Sequence, residues 1–277
     1  MILSLKRDSL KVIRLPRLSL LTLLAVTTVS FAGTSGIKEL PAAPMHWSGF
    51  YAGVNGGYSW SNTGTHILPL PLPTQLPPGD GSIQPAFLSA LMSGGVFGGQ
   101  IGYNWQLRAY PQVYLGLETD LNWSSLKGST SGNALGNTVE HLEVFSNVLS
   151  TQLKSTWFGT LRGRLGFSPA ASLLFYGTAG LAYGYVEEEA NTNFVPGGYG
   201  DAQYPVSLSL TRTGWTAGGG LEWAPKQNCS IKLEYLYYDL GKITRIANPI
   251  IPNPPFQTRY TWTNPTQVIR LGLNYYL

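Results

Sequence analysis

Apolar residues alternate with small or polar residues in successive segments from Trp47 to the end of the chain. In the first segment Phe50 and Tyr58 share one parity, while Gly53 and Asn55 share the other. A period of two is typical of a β-strand whose two faces meet different surroundings. The pattern predicts eight strands, at residues 47–61, 95–106, 112–123, 156–167, 173–186, 211–223, 230–240 and 266–277.

The connections between these segments alternate between long and short. The long ones cover residues 62–94, 124–155, 187–210 and 241–265, and the short ones cover residues 107–111, 168–172 and 224–229. Short turns at one end and long loops at the other are typical of an outer-membrane barrel, whereas a soluble sandwich gives no reason for them. Within the first long connection, residues 85–92 predict a short helix, and alternating Leu and Pro over residues 68–73 favours an extended, polyproline-like segment.

The composition of the two strand faces indicates which of them meets lipid. Only 12% of the residues are charged and 33 are glycine, so the polar faces hold too few charges to solvate an exterior. The apolar faces carry aromatic residues near their ends, as interfacial girdles do. We therefore predict an all-β fold: an eight-stranded antiparallel transmembrane β-barrel with its apolar face toward lipid, short periplasmic turns and long external loops. Closure of the barrel satisfies every backbone polar group within the membrane.

The first 32 residues predict a cleaved signal peptide, because a basic segment and an apolar run precede small residues that end at Ala32. The alternative is an uncleaved anchor, but the apolar run is short for a spanning helix. The predicted organisation is a signal peptide at 1–32, a periplasmic N-terminal segment at 33–46 and a barrel at 47–277. Five of the 18 Lys and Arg residues, with one of the 14 acids, lie in residues 1–17. The remaining 13 basic and 13 acidic residues balance, so nucleic acid is not expected as a partner.

Eight charged residues occupy the predicted inward faces, four acidic and four basic. We call them the lumenal charge network: Glu118, Asp120, Arg162, Arg164, Glu222, Lys232, Glu234 and Arg270. An eight-stranded barrel is just wide enough for side chains to fill it, so charges inside must be paired or solvated. We interpret the set as a structural salt-bridge plug; the alternative is a narrow passive pore for small solutes.

Other residue types that carry chemistry are sparse, and no catalytic site, metal site or cofactor is predicted. Cys229 is the single cysteine, and the three histidines show no triad or ligand spacing. A haemin-binding or other ligand-binding surface receptor is a further alternative, with His66, His141, Tyr199 and Tyr204 as its candidate ligands. The acidic run at residues 187–189 is interpreted as a solvated strand end, with divalent cations near lipopolysaccharide as its alternative ligands.

Several motifs are similar to those of a known family: WSGFYAG at 47–53, QIGYNWQ at 100–106, LGLE at 115–118, GTLRGRLG at 159–166, EYLYYDLG at 234–241 and RLGLNY at 270–275. The chain resembles the small porin-like outer-membrane surface proteins of Gram-negative bacteria, within the OmpA-like eight-stranded barrels. The resemblance covers nearly the whole chain beyond Trp47 except the loops. Family members usually end in an aromatic residue that helps assembly, whereas this chain ends in Leu277, with Tyr275 two positions earlier.

The resemblance implies a surface antigen of the outer membrane, exported through a cleaved signal peptide, with a structural and surface-interaction role. No enzymatic activity is predicted, because the histidines and the available Ser and Asp residues show no triad spacing. The partners that the resemblance implies are outer-membrane lipids and lipopolysaccharide, the barrel assembly machinery, and an external ligand or host surface contacted through the loops.

Overall fold

The structure is a computed structural model that describes residues 46–70, 86–137, 144–194, 202–250 and 257–277. The predicted signal peptide and nearly all of the predicted periplasmic segment lie outside the described residues. Among the described residues no helix is long and apolar enough to cross a membrane.

Nine β-strands make up the described part of the chain. They are β1 (Gly49–Leu70), β2 (Ala86–Leu107), β3 (Tyr110–Asn137), β4 (Val144–Ala170), β5 (Leu173–Phe194), β6 (Ala202–Gln203), β7 (Val206–Lys226), β8 (Cys229–Ala247) and β9 (Gln257–Tyr276). Neighbouring strands pair antiparallel, and β1 also pairs with β9. The two-residue β6 only extends the end of β5. The eight long strands therefore form a closed ring, which confirms the predicted barrel.

The short connections are two-residue turns at 108–109, 171–172 and 227–228. The strands at the opposite end continue well beyond the predicted bounds, so much of each predicted long connection is strand. The predicted helix at 85–92 is wrong, because β2 begins at Ala86. A membrane crossing takes only about 9–11 strand residues, so strands of 19–28 residues project beyond the bilayer.

In the membrane-spanning half, the apolar faces point out and the polar faces point in. Large apolar side chains are exposed around the ring, among them Phe97, Leu121, Leu161, Leu181 and Leu271. Exposed apolar surface on this scale is stable in lipid rather than in water. The orientation agrees with the prediction from composition.

The pattern largely inverts in the external half of the barrel, where most apolar residues point inward and most polar residues point outward. Ile67, Leu126 and Trp262 are each at most 1% exposed, and they belong to an apolar cluster inside the projecting strands. Strand irregularities lie at the transition. β4 has an extra residue, Thr156, relative to β5, whereas β3 has an extra residue at 124–125 relative to β4. β8 has an extra residue relative to β9 beside Gly241, whose φ is 78°. Each bulge shifts which residues of its strand face the lumen.

The lumen is filled in layers, which can be followed outward along single strands. The periplasmic end holds an aromatic layer that contains Trp47, Tyr51 and Tyr276. The charged residues come next, then an inner apolar layer that includes Phe158 and Tyr238, whose rings stack with centroids 4.9 Å apart. The apolar cluster of the projecting strands lies outermost.

Candidate functional site

Two adjacent strands place the first part of the lumenal charge network. Glu118 on β3 is the register partner of Arg162 on β4, and Asp120 is the partner of Thr160. Cross-strand partners on the same face lie close enough for their side chains to interact. The Arg162 guanidinium donates to Asp120 at 3.0 Å and also contacts Glu118.

The network crosses the lumen through Arg162 and Arg270. The Nη1 of Arg162 donates to Glu234 Oε1 on β8 at 3.0 Å. The Nε of Arg270 on β9 donates to Glu234 Oε2 at 2.7 Å, and its Nη2 donates to Asp120 Oδ2 at 2.8 Å. Both guanidinium groups therefore bridge carboxylates from opposite sides of the ring, in the multidentate geometry that suits arginine.

Arg164 and Lys232 complete the charged layer. Arg164 donates to Glu222 Oε1 at 2.6 Å, and its guanidinium carbon lies 3.7 Å from the ring centroid of Tyr176. Lys232 donates to both oxygens of Glu118 at 2.9 and 3.0 Å. Glu222 and Lys232 are register partners on β7 and β8, but they form no ion pair with each other; Lys232 pairs with Glu118 and Glu222 pairs with Arg164. Lys232 reaches across the lumen to Glu118 on β3, and Glu222 reaches past β5 to Arg164 on β4, because long side chains in a narrow barrel meet partners beyond the adjacent strand.

Two tyrosines that the sequence did not single out connect the charges to the wall of the barrel. The hydroxyl of Tyr51 donates to Glu118 Oε2 at 2.7 Å, and that of Tyr176 donates to Glu234 Oε1 at 2.8 Å. Each ring lies over a glycine, Gly102 and Gly220 respectively, where an added Cβ would collide with it. The glycine-rich inward faces thus make room for the tyrosines.

All eight network residues are at most 5% exposed. Burial of an unpaired charge costs several kcal/mol, so such a layer is tolerable only when its charges balance and its hydrogen bonds are made. The four acids and four bases balance, and polar neighbours such as Ser230 and Asn122 extend the bonding. The structure thus brings together every residue predicted for this set.

A second buried ion pair lies closer to the external end. Arg212 Nη1 donates to Glu188 Oε1 at 3.0 Å, and Asn264 contacts the same oxygen. The interpretation of residues 187–189 as a wholly solvated strand end is therefore wrong for Glu188, which is 0% exposed. Strand parity was the missed signal, since Glu188 must point opposite to Glu187 and Glu189 once β5 continues through them.

Of the four residues proposed as ligands of haemin, the two that the structure describes, His66 and Tyr204, are not brought together. His66 lies on the outward face of β1 with its ring 4.7 Å from that of Phe87, while Tyr204 is buried in the barrel mouth. Burial raises the pKa of Tyr204 to about 12. His141 and Tyr199 lie outside the described residues. No group of three or more metal-ligating side chains occurs in the described ranges.

A closed ring of eight strands, apolar outside and charge-filled inside, defines an integral β-barrel of the outer membrane. The chain belongs to the outer membrane protein beta-barrel domain family, whose model matches residues 20–276. It is 36% identical to the 31 kDa outer-membrane immunogenic protein of Brucella melitensis, over 85% of each chain. It is 30% identical to the 22 kDa outer membrane protein of Rhizobium leguminosarum, over 73% of this chain and 69% of that one.

Solved structures show a general likeness. The outer membrane protein OprG from Pseudomonas aeruginosa is 12% identical with a TM-score of 0.41, covering 84% of this chain and 99% of that chain. The Yersinia pestis protein Ail is 12% identical with a TM-score of 0.31, covering 80% and 99% respectively. The family relationship places this protein in the outer membrane of a Gram-negative bacterium. Its relatives are named as outer-membrane proteins rather than for an enzymatic activity.

Proposed function

We propose that this protein is a sealed structural barrel, which conducts neither ions nor small solutes and acts through its external surface. The observation that carries the proposal is the lumenal charge network. Its eight charged side chains are buried, balanced in charge and bonded across the full width of the lumen.

Layers on both sides of the network support a sealed lumen. Toward the periplasm, Trp47 and Tyr276 pack edge to face with centroids 5.9 Å apart. Toward the exterior, Leu236 and Val268 are 0% exposed. A solute would have to displace apolar side chains in two layers and break ion pairs in a third, each of which costs free energy.

The alternative function, a passive pore, is less well supported because packed side chains and ion pairs fill the lumen. A conducting lumen needs a continuous hydrated path and binding that is weak enough for ions to leave. Here the inward charges are engaged with one another. Further hydrogen bonds to the carboxylates come from Tyr51, which donates to Glu118, and from Ser230, which donates to Glu222. Arg270 also donates to Asn122.

A surface role is supported by the strands that project beyond the membrane. Their outward faces are mostly polar, with exposed apolar side chains at positions such as Phe87 and Leu91. Rigid scaffolds of this kind commonly present loops for recognition. Relatives in Brucella are named as outer-membrane immunogenic proteins, which favours exposure of the external end to a host. The protein is not an enzyme in this proposal, because the buried ionisable groups are committed to structural bonds.

Osmotic swelling of liposomes that contain the refolded protein tests the proposal. Small sugars and amino acids should enter no faster than into liposomes without protein, whereas a general porin reconstituted in parallel should admit them. Size-dependent entry through the parent barrel would establish the pore instead.

A further inference from the structure

The wall of the projecting barrel is interrupted between β7 and β8. The ladder that joins these two strands ends at Trp215 and Asp239, although both strands continue outward from there. On their other sides the ladders go on, because β7 is paired with β5 from its first residue and β8 is paired with β9 to its last. We call the space between residues 206–213 of β7 and residues 241–247 of β8 the β7–β8 seam.

The seam begins at the surface of the membrane. The rings of Trp215 and Tyr237 lie 5.2 Å apart at its base, and Trp215 is exposed on the outside of the barrel. Trp and Tyr concentrate where hydrocarbon gives way to lipid headgroups. Beyond them, outward residues such as Thr213 and Lys242 are polar and exposed. The seam therefore lies outside the bilayer, and the part of the lumen that the eight charges fill lies below it.

The seam leaves the inside of the projecting barrel partly open. Leu208 points inward, since it is the register partner of the buried Glu188, yet it is only half-buried. Arg245 on β8 points inward as the partner of the buried Tyr260, and it is exposed. Inward side chains away from the seam, such as Trp262, are fully covered. The exposure of Leu208 and Arg245 therefore follows from the break in the wall.

Backbone groups of β7 point into the seam. In an antiparallel sheet, successive residues of a strand bond alternately to the neighbour on one side and to the neighbour on the other. The even-numbered residues of β7 face β5, because the N–H of Ala224 donates to Ser172 just before that strand. The odd-numbered residues face β8, and Gln203 beyond the strand does so when its carbonyl accepts from Ile250. In the seam the odd-numbered residues are Ser207, Ser209, Thr211 and Thr213.

The two edges of the seam differ in their protection against another chain. Natural edge strands are protected by lysine, by proline or by bulges. β8 carries Lys242 and a bulge beside Gly241. β7 has no lysine, proline or bulge over residues 206–213, and its alternating apolar and polar residues suit a strand. The free edge of β7 is therefore the one to which a further strand can bond.

The cations at the seam lie mainly on β8. Lys242 is exposed on the outward face and Arg245 on the inward face. Neither makes an ion pair within the described ranges. Arg212 on β7 is already engaged, because it donates to Glu188 at 3.0 Å and also contacts the carbonyl of β8 at the bulge. Lys242 and Arg245 are therefore the charges that a docked chain would meet.

The acidic groups near the seam do not cancel both of these cations. Asp239 at the base accepts a backbone N–H of β8 at 2.8 Å. Glu187 and Glu189 point outward on β5 and are separated from the seam by β7. Glu187 is also paired with Lys154 at 3.1 Å. The seam therefore combines free backbone groups and partly exposed apolar side chains with a positive balance of charge.

Resting on the surface role proposed above, we propose that the β7–β8 seam is a docking site for an extended segment of another protein. The segment adds as a strand antiparallel to the free edge of β7. Its inward side chains are apolar and cover Leu208, and its outward side chains are acidic and face Lys242. Backbone hydrogen bonds supply affinity and the alternating side chains supply selectivity, as in other complexes formed by strand addition.

Binding of a synthetic peptide to the whole refolded barrel in detergent tests the site, and fluorescence anisotropy of a label on the peptide reports it. The probe is as long as the free edge of β7 and alternates Val with Glu. The parent should bind it more tightly than a peptide that alternates Gly with Glu or one that alternates Val with Lys. Equal binding of the Gly–Glu peptide would mean adsorption by charge alone and would overturn the proposal.

Two substitutions of Ser209 separate strand addition from other modes of binding. Ser209→Pro removes an N–H that faces the seam and leaves the ladder to β5 in place, whereas Ser209→Ala keeps that N–H. The proline variant should bind the Val–Glu peptide about fivefold more weakly, which corresponds to the loss of one hydrogen bond, and the alanine variant should bind like the parent. Lys242→Ser tests the same site without a change in the backbone and should weaken binding about threefold. The matched control Lys127→Ser removes an exposed lysine on β3 and should have no effect.

Heat-dependent gel mobility shows that each variant is folded. The proposal is overturned if the Val–Glu peptide does not bind the parent, if Lys242→Ser binds it like the parent, or if a folded Ser209→Pro barrel binds it like Ser209→Ala. A parent barrel that is dimeric without peptide, and monomeric after Ser209→Pro, would identify a second copy as the occupant instead. A parent that binds no peptide but still excludes sugars in the swelling assay would overturn this inference alone and leave the sealed lumen standing.

Discussion

Replacement of Arg164 by Met tests whether the lumenal charge network holds the barrel together. Arg164 contacts Glu222 at 2.6 Å, the hydroxyl of Tyr51 at 2.8 Å and the ring of Tyr176 at 3.7 Å. Methionine keeps much of the length and fills the space, but it removes the charge. Among the described residues Arg164 is the one cation paired with Glu222, so the variant leaves a buried carboxylate without its counter-charge.

The expected loss of stability depends on the hydrogen bonds that Glu222 retains in the variant. Ser230 and Tyr276 still donate to its Oε2 at 2.9 and 3.0 Å, but neither carries a charge. Removal of one partner of a buried ion pair lowers the free energy of unfolding by about 3–5 kcal/mol. We expect a loss in the free energy of unfolding near the lower end of that range, because these hydrogen bonds remain.

Equilibrium urea unfolding in lipid vesicles, followed by tryptophan fluorescence, measures this loss. The double variant Arg164→Met with Glu222→Gln should cost about 2 kcal/mol less than the two single variants together, because the pair is coupled. The control Lys154→Gln breaks an exposed pair and should cost less than about 1 kcal/mol. The reasoning would be refuted if Arg164→Met unfolds at the same urea concentration as the parent and if the effects of the two single variants on the free energy of unfolding are additive.

Three further predictions concern the fold and its topology. N-terminal sequencing of the protein isolated from the outer membrane should begin at Gly33, because the small residues Ser30 and Ala32 suit signal-peptide cleavage. Protein that still begins with Met1 would contradict the predicted signal peptide. The folded protein should migrate differently in a gel before and after boiling, because the closed ladder resists detergent; helix-dominated far-UV spectra would contradict the barrel. Protease added to intact cells should cut only at the end opposite the two-residue turns, and cleavage at residues 108–109 would reverse the topology.

The sequence predicted the membrane-spanning half of the barrel well because one rule holds there. Lipid outside and a polar lumen inside impose a strict alternation, so the parity of Arg162 and Arg164, or of Glu118 and Asp120, already fixes their direction. All eight network residues could therefore be chosen before any contact was known. Which partners meet could not be predicted, because the pairing of Lys232 with Glu118 depends on the width and register of the closed ring.

The projecting half was mispredicted as loop for a physical reason. Beyond the membrane the outside of the barrel meets water and the inside becomes apolar, so the expected pattern reverses at residues such as Leu126 and Lys127. The extra residues at Thr156 and beside Gly241 also shift the parity of β4 and β8. The buried pair of Glu188 and Arg212 was missed for a different reason: both side chains keep the inward parity of their strands, but Glu188 fell in a segment that was predicted as a loop.

Current through planar bilayers that contain single refolded barrels tests the sealed lumen most directly. The account predicts no steady conductance above the bare membrane for the parent. The Arg164→Met variant should open at least intermittently, since its charged layer is no longer balanced. Steady, reproducible channel steps from the parent protein would contradict the account, because they require a hydrated path through the layer that the eight charges fill.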